Sequence, residues 1–180
     1  MRRLRILFSI ATLTMTFAAI PQASGGGGAS PGSGGLRLAG SQPTLRALGE
    51  RYLMALAART DDARAIQALA VTRQEWSLFV WPKLPASRPQ ANFPPDFVWQ
   101  QMYLRSMSEL EHILRAHAGT RYELVDLRFT GETTDFGTFK IHSGSLLRVK
   151  APNGEEQELR LFGSVLEMKG RFKIFSFVRR

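Results

Sequence analysis

Cysteine is absent from the 180 residues. That excludes a disulfide framework, a thiolate nucleophile, an iron–sulfur cluster and a cysteine zinc site. It also excludes a lipoprotein whose lipid sits on cysteine. Histidine is scarce, with 3 in the chain, and acids are outnumbered, 15 Asp+Glu against 24 Lys+Arg for a formal charge of +9. Such a balance suggests a polyanionic partner, nucleic acid or an anionic membrane. A membrane-spanning run is lacking as well. The uncharged stretch from Ile6 to Ile20 is 15 residues long, and a spanning helix needs about 20.

What is present begins with an export pattern. Met1 to Arg5 carries three arginines, the apolar run follows, and Pro21 breaks it before the small residues Ala23-Ser24-Gly25. This is the order of a cleaved secretory signal peptide over 1–25, with an uncleaved anchor as the alternative. Glycine then makes up half of the stretch from Gly25 to Gly40. Neither dinucleotide-binding nor Walker spacing is met, so 26–41 reads as a flexible linker and 42–180 as one domain. Removing Arg2, Arg3 and Arg5 with the signal leaves 21 bases against 15 acids, a charge of +6. The expected location is periplasmic or secreted, with membrane contact only through the signal. Nucleic acid is not expected as a partner there.

The domain has the composition for a core, at 44% hydrophobic and 10% aromatic. Leu45, Leu48, Tyr52, Ala55 and Leu56 recur at helical spacing over Pro43–Arg59, with Ser41 or Thr44 at the start. Thr60-Asp61 can cap a short helix through Ile66 and Leu69. Thr72-Arg73-Gln74-Glu75 matches a capping box before Trp76–Trp81, which Pro82 ends. Prolines then mark an irregular loop to Pro95, and a long helix runs from Asp96 to about His117, with Gly119 as its stop. Beyond Arg121 the period becomes two. Strands are expected at Tyr122–Thr130, at Phe136–Lys150 with a bulge near Ser143-Gly144-Ser145, at Glu156–Met168 and at Arg171–Arg179. Asn153-Gly154 and Lys169-Gly170 are the turn signals between the last three. The expected class is α+β, three or four helices on a curved antiparallel sheet of about four strands.

This order, closing with Gly163–Met168 and Arg171–Val178 as a hairpin, resembles the nuclear-transport-factor-two-like superfamily. The resemblance covers about Pro43 to Val178. It implies a cone of curved sheet wrapped on helices around a cavity, and it carries no catalytic residue across. One departure is the lack of a strand between the early helices, where the segment from Pro82 to Pro95 stands instead.

Several residues could carry chemistry. His112 and His117 lie five apart on one helix, about 140° around it, so they cannot share a metal from one face. Ser106 sits on the stripe Trp99, Tyr103, Ser106, Leu110, Ile113, where a hydroxyl ordinarily bonds back to its own helix. His117 is expected to favour the negative helix end. Asp126, with Tyr52 and His142, forms a possible acid–base set if all three enter one cavity; otherwise Asp126 lies on a solvated strand face. Trp76, Phe79, Trp81, Phe93, Phe97 and Trp99 are either core or the aromatic mouth of a pocket, with Arg88 and Asn92 as its polar groups. In the last strand Phe172, Ile174, Ser176 and Val178 read as core. Arg171, Lys173, Phe175, Phe177 and Arg179 read as a second face able to meet an anionic surface or a partner sheet.

The favoured function is noncatalytic. The domain binds a small apolar or amphipathic ligand through Tyr52, Trp76, Trp81, Arg88, Phe97 and Trp99, or a protein partner on its sheet, with no cofactor or metal. A homodimer through Phe175, Phe177 and Arg179 is the structural option. The rival is a cofactor-free lyase or isomerase using Asp126 with Tyr52 or His142.

Overall fold

The computed structural model describes residues 38–58, 63–91 and 93–179. The signal, most of the linker, the Thr60-Asp61 cap and Asn92 lie outside the described residues. Four helices precede seven strands: α1 (Leu45–Ala57), α2 (Arg64–Gln67), α3 (Arg73–Glu75), α4 (Pro95–His117), then β1 (Glu123–Phe129), β2 (Thr133–Asp135), β3 (Lys140–Ser143), β4 (Ser145–Lys150), β5 (Glu156–Leu159), β6 (Ser164–Met168) and β7 (Arg171–Ser176). The class is α+β, with the strands in two antiparallel sheets ordered β1-β4-β5 and β2-β3-β6-β7. No helix among the described residues is long and apolar enough to cross a membrane.

Local chemistry accounts for the helices. The Thr44 side chain accepts from the Ala47 N–H and starts α1, which buries Leu48, Tyr52, Leu53 and Leu56 along one stripe. The capping box at Thr72 and Glu75 forms in full. Beyond it the backbone widens to an i→i+5 turn over Trp76–Val80 and tightens to 3-10 turns at Trp81–Lys83, Pro85–Ser87 and Pro89–Ala91. Pro95 opens α4, with Asp96 in its first turn and Arg115 and His117 in its last, the charge order the helix dipole favours. Gly119 then adopts a left-handed φ of 80°, and its N–H donates to Leu56 O at 2.9 Å, tying the ends of α4 and α1 together.

The strands differ from the sequence expectation in number. Phe136–Lys150 is not one bulged strand, because the chain leaves one sheet at Ser143 and enters the other at Ser145. Gly144, at φ 70°, makes the corner. Glu156–Met168 divides likewise at residues 160–163. The Asn153-Gly154 turn is also larger than two residues. Gly154 N–H bonds to Ala151 O at 2.8 Å, so Pro152 and Asn153 are central, and Gly154 alone takes a positive φ. Pro152 has a fixed negative φ, which favours this turn over a mirror-image one. Lys169 and Gly170, both at positive φ, do form the tight turn of β6 and β7.

Two apolar clusters hold the fold. The larger gathers Leu48, Tyr52, Leu56, Leu110, Ile113, Leu147, Phe162, Val165, Ile174 and Phe177 between α1, α4 and the sheets. The smaller gathers Leu38, Val71, Trp76, Val80, Phe139, Leu166 and Met168, beneath the proline-rich segment. Leu38 and Ser41, read as the end of the linker, are buried in the domain. Gln42 then pairs with Phe172, and Ala70 bridges Ile174.

Candidate functional site

The helix α4 and the sheet β2-β3-β6-β7 do not close on each other everywhere. Between them lies a cleft of about 720 Å³. Trp99, Met102, Tyr103, Ser106 and Met107 line it from α4, Ile141 and Ser143 from β3, Phe175 and Ser176 from β7 with Phe177 and Val178 just after it, and Gln67 and Ala70 to Arg73 from the end of α2 to the start of α3. The spacing of 99, 102, 103, 106 and 107 is that of one helical face. Its size falls within the range of small-molecule sites, ~300–1,000 Å³, and its walls are mainly apolar with a few placed polar groups, as such sites are.

The polar groups are distinctive. Ser106 is 8% exposed and does not bond back to its own helix. Its Oγ accepts from the Phe177 N–H at 2.9 Å, bonding α4 to the chain just after β7. The Ser176 Oγ accepts from the Val178 N–H. Gln67 Nε2 lies 3.5 Å from Met107 Sδ. Arg73 and Arg105 also line the cleft, and Arg73 reaches Asp96 at 2.6 Å.

Of the aromatic set expected to line a cavity, only Trp99 lines this one. Trp76 is 1% exposed in the smaller core, with Trp81 and Trp99 packed on it at ring distances of 5.2 and 5.5 Å. Its indole N–H has no hydrogen-bond partner among the described residues. Trp81 is half-buried against that core. Phe97 is 54% exposed, on a face of α4 away from the cleft, and Arg88 is exposed among the 3-10 turns. Tyr52 is fully buried and donates to Leu161 O at 3.0 Å. Burial holds its phenol well above the ordinary range, partly countered by the Arg179 charge. The core needs these rings for packing, and periodicity alone does not separate a core ring from a pocket ring.

The acid–base set is not assembled. Tyr52, Asp126 and His142 are all missing from the cleft wall. Asp126 follows a bulge in β1, where the register shifts between Leu124 and Asp126, and it lies opposite Arg148. The bulge breaks the alternation, so Leu124 and Leu127, three apart, are both buried. His142 is held between Thr133 Oγ1 and Glu167 Oε2, each at 2.8 Å, and stacks on Phe129 with ring centroids 4.6 Å apart. This hydroxyl–imidazole–carboxylate chain was not anticipated from sequence. Its imidazole has both nitrogens engaged, and none of its three residues lines the cleft.

The other histidines are engaged separately. His117 Nδ1 is 3.0 Å from the Tyr122 hydroxyl. Burial and then the Arg179 charge lower its pKa, so the neutral imidazole is favoured instead of the cation expected at a helix end. His112 Nδ1 lies 3.2 Å from Arg115 Nη2. Among the described residues, no three His, Asp or Glu side chains are placed to hold a metal.

The second face of the last strand is also a correction. Lys173 is 1% exposed, its Nζ 2.8 and 3.1 Å from the Glu75 carboxylate oxygens and 2.7 Å from Ala39 O. Phe177 is fully buried, Phe175 packs on the smaller core, and Arg179 pairs with Glu109 of α4 at 3.0 Å. The chain itself thus covers Lys173 and Phe177, two residues that alternation placed on a face open to a partner. Compared with known proteins, the chain matches no family model, no curated protein and no solved structure.

Proposed function

We propose that this is an exported, noncatalytic binding domain that takes a small apolar or amphipathic molecule in the cleft between α4 and the four-stranded sheet. The observation that carries this reading is the cleft itself. Trp99, Met102, Met107, Ile141 and Phe175 supply apolar wall, and hydroxyls are set singly among them. An acid–base pair has no place in that wall, and the function requires no cofactor. The order of basic, apolar and small residues at the amino terminus supports export. The run of helices followed by antiparallel strands supports kinship with the nuclear-transport-factor-two-like superfamily, whose curved sheet encloses a comparable cavity.

N-phenyl-1-naphthylamine, a neutral apolar fluorophore, tests the cleft. It is expected to bind one per chain with an emission rise, and Met102→Trp, which fills the cleft from α4, is expected to abolish binding. Unfolding curves of the two proteins report whether the variant keeps its fold. Undiminished binding by a folded Met102→Trp chain would refute the site.

A further inference from the structure

We propose that the occupant of the cleft is an anionic amphiphile, an apolar chain ending in a carboxylate or phosphate monoester, and that Arg105 holds its head. This rests on the reading of the cleft as a binding site. Among the described residues, two charged ones line the cleft, both arginines, and no carboxylate does. The two differ in state. Arg73 has its charge met by Asp96. Arg105 has no hydrogen bond or ion pair among the described residues.

Its position suits a head and not a tail. Helix geometry sets Arg105 about 60° round α4 from Met102 and about 100° from Ser106, at the margin of the face that lines the cleft. The residue is exposed, so its guanidinium stays hydrated while its stem lies along the apolar wall. A planar fork of N–H donors matches carboxylate and phosphate oxygens. Deeper in, the Ser106 oxygen accepts from Phe177, and no described residue accepts the Ser106 hydroxyl proton. Both groups therefore offer protons, and an occupant rich in acceptors completes them. An ammonium head would meet Arg105 with the wrong sign.

Calorimetric titration of the full chain with decanoate, decyl phosphate, decan-1-ol and decylamine, each below its aggregation limit, tests this. At least one anion is expected to bind about tenfold more tightly than the alcohol, decylamine most weakly, and the tighter anion identifies the head. Arg105→Gln, an exposed change compatible with folding, is expected to remove that tenfold advantage, so that the anion and decan-1-ol bind the variant with like affinity. Equal affinity for anion and alcohol, or an anion advantage that survives Arg105→Gln, would overturn the assignment of the head while the cleft reading stands. If none of the four binds, and N-phenyl-1-naphthylamine does not bind either, both are overturned.

Discussion

Lys173 shows how a residue's sequence neighbours can mislead. Alternation puts it with Arg171 and Arg179 on a cationic strand face, yet it is among the most buried side chains in the molecule, bonded to Glu75 across 98 positions of chain. The same carboxylate accepts from the Thr72 and Ala39 N–H groups, each at 2.8 Å. One ion pair thus joins α3, β7 and the segment before α1. Glu75 was legible, because a capping box is written within four residues; its partner was not, because burial of a lysine depends on contacts distant in sequence. Removing one member of a buried pair leaves an unpaired charge and costs about 3–5 kcal/mol, whereas replacing both is far less costly. Lys173→Met is therefore expected to lose about 3 kcal/mol in urea unfolding, and Glu75→Gln in the same chain to restore half or more. A single variant within about 1 kcal/mol of the parent would show that the pair contributes little.

The elements were legible wherever their signals are local. Thr44, the capping box, Pro95 and Gly119 bound helices within a residue or two of expectation, and Lys169-Gly170 makes its turn. The strands were legible as strands but not as two sheets, because passing from one sheet to the other leaves the period-two pattern nearly intact. Gly144 and Gly163 mark the crossing. The Gly163 carbonyl accepts from the Gly144 and Ser145 N–H groups at 2.9 and 3.1 Å, and its N–H donates to Ser176 O at 2.9 Å. A Cβ at Gly163 would overlap the Val178 carbonyl oxygen, and backbone there cannot yield as a flexible side chain does. Gly163→Ala is expected to destabilise by about 2–4 kcal/mol, in the range of strained substitutions at special positions. Thermal unfolding measures it, and an unchanged midpoint would show that this joint is not packed as described.

At the scale of the whole molecule, the covering of β7 directs attention to the cleft. One edge of β7 pairs with β6, the other meets Gln42 and Ala70, and its buried face packs on the core, so the proposed dimer through Phe175 and Phe177 would have to displace the chain's own contacts. No other described residue covers the opening between α4 and the sheet. It was only partly legible in sequence. Trp99, Tyr103 and Ser106 were visible as one helical stripe, but which ring faces a core and which a cleft depends on how far α4 stands from the strands, and periodicity does not encode that distance. The basic charge likewise reads differently at this scale. Lys173 and Arg179 are paired inside the chain, whereas Arg105, on the wall of the cleft, has no such partner among the described residues. The most direct measurement is the set of backbone amide shifts on titrating the isotope-labelled chain with decanoate. The account predicts saturable changes confined to residues 70–73, 99–107, 141–144 and 175–178; changes centred on β1, β4 and β5, or none at saturating decanoate, would contradict it.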